Sequence, residues 1–583
     1  MDGPSDRRLG EALHTVRPRD GRGLRLVVLA VLVLGLLGPI AAGLGQTGRA
    51  AFGVMPVLGA VDPGLGPWRE LSAIPGLWTS MKLTLWTGLA ATLLSLMLAV
   101  GFCAVAHERM SNSAAARWLT PFLAAPHAAM AIGLAFVLAP SGWIARLLAP
   151  LMGWGNPPDL TIVNDPWGIA LILGLMVKEV PFLLLVMLSA LTQIPLRQNM
   201  AAGRMLGYGR GLVWMKIIAP QVWPLIRLPV MVVLAYALST VDMGLILGPS
   251  NPPVLAVLLT RLFSDPEIAR ILPASAGALM QGLLVAAAFA LLWLGERTMR
   301  RLGLWWVRGG GRGSSAEPLL RAATALVMAL FAIGTLAMLS LVVWSLAWRW
   351  PWPAPVPQSW SLKAWGSPGA GWAHALGNTL LLAGATTAIS LTLAIAWLEG
   401  EDRARRGRAA WAEALIYLPL LVPQIAFLYG LNILFLRLGI SGGHIAVIWA
   451  QALFVFPYVM ITLSDPWRAL DPRLTRAAAS LGAGPWRRLF AVKLPVLAMP
   501  ILTAAAIGIA VSVAQYLPTL FMGAGRVATL TTEAVTLSSG SDRRVTGVYA
   551  SLQAGLPLAA YAAAFLIPAL LHRKRAAMKG ASA

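Results

Sequence analysis

Leu83-Thr84-Leu85 opens a stretch that closes on Ser95-Leu96-Met97-Leu98-Ala99-Val100, and Asn378-Thr379-Leu380 opens another that closes on Ser390-Leu391-Thr392-Leu393-Ala394-Ile395, at a constant offset of 295. Each sits in a long apolar run, 78–106 and 374–397. Roughly 20 such residues cross a bilayer as a helix. Runs this long can hide their backbone groups in lipid only as helices, and a barrel would show ten-residue alternating segments instead. Working outward, similar runs fall near 26–45, 119–139, 167–192, 224–247, 273–296, 322–347, 411–436, 444–464, 497–523 and 548–571. The predicted fold is an all-α polytopic membrane protein with about twelve transmembrane helices.

Composition agrees. The 583 residues are 58% apolar and 12% charged, with a mean hydropathy of +0.72. Soluble domains carry about twice that share of charge. The net charge of +23 would suggest nucleic acid in a soluble chain, but here topology accounts for it. With the N-terminus inside, the inner segments 1–25, 107–118, 193–227, 297–321, 398–410, 465–496 and 572–583 hold 33 of the 46 Lys and Arg. That bias predicts both termini in the cytoplasm and no nucleic-acid partner. The basic stretch before Leu26 lacks a convincing cleavage site, so the first apolar run reads as a retained span. A single cysteine, Cys103, excludes a disulfide framework or a cysteine metal cluster within the chain. Seven of the 24 tryptophans lie between Trp344 and Trp372, which reads as an interfacial anchor.

The duplication continues past its first segment. Val180-Pro181-Phe182 matches Phe456-Pro457-Tyr458 at 276, and Gly207 to Pro220 matches Gly482 to Pro495 at 275. The predicted organisation is a basic tail 1–25, a first repeat 26–307, a Gly/Ser/Arg linker 308–317, a second repeat 318–571 and a basic tail 572–583. Six spans per repeat make the two parallel. Parallel repeats imply a pseudo-twofold axis along the membrane normal, with a pathway where the halves meet.

Two inner loops, 193–222 and 465–496, carry the densest pattern. In the second, Asp471 is an N-cap with Pro472 in the first helical position, and Gly482 supplies a left-handed end. Pro485 then starts a short helix that Leu494-Pro495 closes. The first loop repeats this from Pro195 through Gly207, Gly209 and Gly211, with a short Leu212–Ile218 helix ending at Pro220. Measured from the glycines, Arg476-Ala477-Ala478, Gly482, nine residues and Val492-Lys493-Leu494-Pro495 parallel Ala201-Ala202-Gly203, Gly207, nine residues and Ile217-Ile218-Ala219-Pro220.

This pattern resembles the cytoplasmic signature of ABC importer permeases: Glu-Ala-Ala, three residues, Gly, nine residues, Ile-x-Leu-Pro. The chain departs from it at the acidic position, where Arg476 and Ala201 stand. With its duplicated six spans it looks like the fused two-permease proteins of the iron(III) and thiamine uptake type. The resemblance implies the type I (MetI-like) permease fold in a bacterial inner membrane. It also implies two copies of an ATP-binding subunit, which hold the ATP and Mg, and a periplasmic substrate-binding protein. The two loops would then be the contacts through which the ATPases move the halves. Without the resemblance, each loop reads as a basic segment resting on anionic lipid through Arg487, Arg488 and Lys493.

Ionisable residues inside spans are functional candidates by default. Lys178 and Glu179 lie near the middle of span four, just before Pro181. Neighbours on a helix point about 100° apart, so each is expected to meet a different helix. Asp242, 22 residues past Pro220, and Gln515, 20 past Pro495, hold roughly matched places, with Ser239, Ser512 and Tyr516 nearby. These seven are the candidate pathway residues; for Lys178 and Glu179 polar glue or a kink-stabilising bond is favoured over substrate contact, and for the other five pathway lining and structural bonding weigh equally. Asn378, Gln424 and Gln451 are weaker candidates. No Gly-x4-Gly-Lys-Ser/Thr string occurs and the six histidines are scattered, so no cofactor, metal site or catalytic centre is expected in this chain. The competing reading is a twelve-span transporter driven by an ion gradient, with Asp242 or Glu179 carrying protons.

Overall fold

The computed structural model describes residues 19–107, 119–309, 316–366, 371–404, 410–540 and 542–571. Most of the tail 1–25, the core of the linker 308–317 and the whole tail 572–583 lie outside them. Helix already begins at Arg19, inside the stretch expected to be tail. Twelve membrane-length elements follow: α1 (Leu26–Ala51), α2 (Leu77–Ala106), α3 (His127–Met152), α4 (Ile169–Leu191), α5 (Arg210–Ser239), α6 (Ile268–Arg308), α7 (Glu317–Leu346), α8 (Trp372–Arg403), α9 (Trp411–Leu421 with Gln424–Arg437), α10 (His444–Arg468), α11 (Pro485–Val496 with Ala498–Ala514) and α12 (Arg543–Ile567). α9 bends by 93° and α11 by 77°, and α3 is interrupted between Leu138 and Trp143, so the expected number of spans is present with breaks inside some of them.

Interruptions also correct other expected boundaries. The run 119–139 breaks at Ala125-Pro126, and its helix restarts at His127. Pro423 performs the same break in α9, because proline lacks an N–H and holds the residue before it out of helical geometry. The run expected over 224–247 ends at Ser239 and resumes as a separate helix, Asp242–Leu247. Likewise 497–523 divides into Ala498–Ala514 and Leu517–Gly523.

The sequence repeat is realised in hydrogen bonds. Thr84 on α2 accepts the backbone N–H of Leu255 at 2.8 Å, starting the helix Leu255–Phe263. Its counterpart Thr379 on α8 accepts from Leu530 at 3.0 Å, starting Leu530–Ser538. A helix start leaves orphan N–H groups, and both repeats satisfy one of them with the same threonine.

Each repeat also lends its first helix to the other. α1 lies against α8 and the second arm of α9, while α7 lies against α2 and α3. Close approach depends on glycine. A Cβ on Gly430 would fall 2.0 Å from the Gly43 carbonyl oxygen, and one on Gly133 would fall 2.3 Å from that of Ala337. Trp449 Nε1 donates to the Gly35 carbonyl at 2.7 Å, within the π-helical turn Val33–Leu37 that loosens α1. On the opposite end from the two inner loops, the elbows 193–222 and 465–496, a two-stranded ribbon pairs β1 (Ala347–Arg349) with β2 (Ser359–Trp360). Arg146 of the first repeat reaches into the loop between these strands, donating to the Pro351 carbonyl at 2.8 Å and lying over Trp350 and Trp352. Part of the tryptophan cluster therefore clasps the two repeats together, beyond the anchoring role expected.

Gly430→Ala should destabilise the protein by about 1–3 kcal/mol, because backbone on both helices must move apart. Gly377→Ala, on α8 with open space around it, should be neutral or stabilising by up to about 1 kcal/mol. Thermal unfolding of the purified chain in detergent checks both.

Candidate functional site

Four helix interruptions meet around one cavity of about 710 Å³, lined by both repeats. Pro126 and Thr240 come from the first repeat, Val422 and Gln515 from the second. Such breaks are tolerated at membrane depth only where protein or a water-filled cavity receives the freed backbone groups. Lys178 shows how one is satisfied. Its Nζ donates to the Phe122 carbonyl at 2.7 Å and the Ala125 carbonyl at 2.5 Å, the acceptors released by the Pro126 break.

The other candidate pathway residues divide. Glu179, only 6% exposed, lines the cavity with its Oε1 3.8 Å from His127 Nε2. Asp242 lines it too, accepting from Thr240 Oγ1 at 3.0 Å and the Tyr236 hydroxyl at 3.4 Å. Ser239 reaches the cavity although its hydroxyl donates to its own helix at Ala235. Gln515 and Tyr516 face it from the second repeat. Ser512 does not line it: its hydroxyl donates to Gln451 Oε1 at 2.5 Å, a bond between α11 and α10. Gln451 in turn donates to Thr519, which makes both polar glue. Asn378 is likewise structural, donating to the Ala528 carbonyl. Gln424, held as a weak candidate, does line the cavity, as do His127 and Tyr458, which sequence reasoning passed over. The cavity extends along α4 as far as Gln193, beside the first elbow.

Both elbows close with the same glycine geometry. Helix Pro472–Ser480 starts under the Asp471 carboxylate, which accepts from the Arg473 N–H at 2.8 Å. It ends where Gly482 takes φ +81°, with Gly482 N–H bonded to Ala479 and Ala483 N–H to Ala478. In the first elbow, helix Leu196–Met205 ends on Gly207 at φ +79°, with Gly207 N–H bonded to Arg204 and Tyr208 N–H to Gly203. Paired bonds of this kind around a left-handed residue satisfy the last carbonyls of a helix. Gly203 then lets the second arm pack closely, since a Cβ there would meet Val213 at 2.5 Å. Ala201, Ala202, Arg476 and Ala477 are exposed, Ala478 half-buried.

Beyond the glycines the arms differ from expectation and from each other. Arg210–Val213 runs through a π-helical turn, Trp214–Ile218, straight into α5, so Pro220 does not close a separate short helix. Ile217 is half-buried and Pro220 exposed on that continuous helix. In the second elbow Val492 and Leu494 are half-buried, Pro495 is exposed, and the break comes at Leu497 instead. Sequence reasoning missed the tips. Leu481 is 86% exposed and Met205 88% exposed, with Leu206, Trp486, Met215 and Phe490 also open. Leu206 and Leu481 immediately precede the two matched glycines.

Below the second repeat the elbow is fastened by charge. Lys493 Nζ lies 2.6 Å from Glu399 and 2.5 Å from Asp402, Arg403 Nε lies 2.8 Å from Glu399, and Arg468 bridges Glu401 and Glu413. Lys493 is therefore a buried ion-pair partner and not a lipid-facing charge. The first elbow is held by buried Trp214 with the His107 ring 5.5 Å away, by Lys216 over Tyr208 and Trp306 and by Arg210, whose Nε lies 4.0 Å from Glu317. Among the described residues no group of three His, Cys, Asp or Glu could hold a metal ion.

Comparison with known proteins follows the same outline. Residues 388–572 match the family described as binding-protein-dependent transport system inner membrane component. The chain is similar to the inner membrane ABC transporter permease protein YnjC of Escherichia coli (strain K12), 34% identical over 451 residues that cover 77% of this chain and 80% of that protein. It is also similar to the spermidine/putrescine transport system permease protein PotC of the same organism, 30% identical over 16% of this chain and 35% of that protein. The molybdenum transport system permease protein ModB of Azotobacter vinelandii is 29% identical over 25% of this chain and 70% of that protein. Shared identity across most of the chain, a multi-span helical fold and two matched six-helix repeats lead to one assignment: this chain belongs to the ABC importer permeases, in the fused form that carries both permease repeats on one polypeptide.

Proposed function

We propose that the two elbows seat in two copies of a separate ATP-binding subunit, and that the cavity between the repeats is the path of a small solute, thiamine-like or a ferric ion. The observation that carries this reading is the pair of exposed apolar tips beside left-handed glycines, repeated in equivalent loops. Large apolar side chains left open on a rigid projection suit burial in a partner's groove. ATP and Mg belong to those partners. Closure of the ATPases on nucleotide would draw the elbows together and rock the repeats about the cavity, and a periplasmic substrate-binding protein would deliver solute at the opposite face. Both termini and both elbows would lie in the cytoplasm of a bacterium, with the protein in its inner membrane.

Each half of the elbow carries a distinct expectation. Leu206→Asp and Leu481→Asp should each lower the ATPase retained on purification about tenfold, while stability stays within about 0.5 kcal/mol because the side chains are exposed. Gly207→Val and Gly482→Val force a β-branched residue into the left-handed region at about 1–2 kcal/mol each, and should leave ATP hydrolysis running without uptake. Solute uptake that persists without any ATP-binding subunit and collapses with a protonophore overturns the proposal.

The charge cluster generates a further expectation. Lys493→Met takes one of two cations from buried Glu399, which keeps Arg403, while Asp402 is partly exposed; loss of a charge-assisted hydrogen bond of this kind costs about 1.5–3 kcal/mol. The variant should unfold earlier on heating, and limited proteolysis should cut residues 471–490 faster than residues 196–218.

A further inference from the structure

The charges around the cavity all come from one repeat. Lys178, Glu179 and Asp242 belong to the first, and at the matched offsets of 276 and 275 the second carries Phe454, Val455 and Leu517. Since the second repeat builds the same kinks and short helices with apolar residues there, the fold itself does not require the two carboxylates. Lys178 has a structural task, fastening the carbonyls released before Pro126. Glu179 has none of that kind: among the described residues it makes no hydrogen bond, and the His127 ring stands 3.8 Å away. A buried carboxylate is costly unless something pairs with it.

A second, independent feature lies across the cavity. Gln515 is 8% exposed, lines the cavity, and its buried Oε1 has no hydrogen-bond partner. That oxygen can only accept. Aromatic rings complete the wall: Phe182, Tyr236, Phe454, Tyr458, Tyr516 and Tyr561. With both carboxylates ionised against one ammonium, the lining carries one excess negative charge, and ring faces attract cations. The volume is that of a site for a small organic molecule.

We propose that the solute passing through this cavity is a small organic cation, its positive centre held by Glu179 and Asp242, with an N–H donated to Gln515 and its body against the tyrosine faces. This rests on the reading of the cavity as the transport path and narrows it to one chemical class. A bare metal ion fits less well, because among the described residues no three His, Cys, Asp or Glu side chains come together to hold one, whereas an oxyanion would meet the two carboxylates as repulsion.

The full chain in lipid nanodiscs, without ATPase or binding protein, provides the test by equilibrium dialysis against thiamine and spermidine as cationic probes and molybdate as the anionic one. Saturable binding of at least one cation is expected, with affinity falling about tenfold in Glu179→Gln and again in Asp242→Asn. Gln515→Leu should weaken it about threefold. Saturation by molybdate alone overturns the proposal, as does the absence of saturable cation binding. So does cation affinity within twofold of the unaltered chain in a Glu179→Gln protein that melts normally. Because no ATPase is present, loss of this inference is separate from loss of the coupling reading: a chain that retains ATPase through its elbows yet binds no cation refutes only the former.

Discussion

An unpaired backbone carbonyl in hydrocarbon costs several kcal/mol, and this protein interrupts four helices at membrane depth. The architecture around those interruptions follows from that cost. Two breaks come from each repeat, and they are gathered at a single place where side chains and cavity can receive the freed groups. Lys178 is the clearest instance, an ammonium spent on two carbonyls that Pro126 released. A helix that must break can present side chains and backbone inward where an unbroken one could not. The constraint against irregular structure is thus what concentrates the polar residues at the interface between repeats.

The elbows answer a different demand. Outside the membrane a glycine in the left-handed region and two carbonyl-satisfying bonds make a compact corner, repeated with nearly identical torsions in both halves. Each corner is held to the body by a lysine that lies over aromatic rings, Lys493 over Trp467 in one and Lys216 over Tyr208 and Trp306 in the other, and Lys493 adds ion pairs to Glu399 and Asp402.

Much of this was readable from residues alone. Long apolar runs gave the spans, because length and hydrophobicity are local properties. Gly207 and Gly482 could be read as helix ends, since a left-handed terminus has a strong residue preference. The breaks at Pro126 and Pro423 were not, because proline inside an apolar run is also compatible with a continuous helix, as Pro181 and Pro457 demonstrate. Ser512 and Gln515 are three residues apart and equally polar, yet one bonds Gln451 and the other faces the cavity. Only the break between them separates those fates. The ion cluster was hidden for another reason: Glu399 and Lys493 are 94 residues apart, and counting basic residues for topology gave no weight to the acids that meet them. A matching cue existed in the run Glu399-Gly400-Glu401-Asp402, the one acidic cluster at the inner end of a span.

The exchange of first helices has a bearing on how the chain is made. Gly43 finds its seat on Gly430, which leaves the ribosome roughly 390 residues later, or about 20 to 80 seconds at ordinary elongation rates. Through that interval the glycine face of α1 has only lipid, or the insertion machinery, for company. Assembly of the opening helix is therefore among the late events of biogenesis although its synthesis is among the first, and the nascent protein must tolerate an unfilled groove for most of its translation.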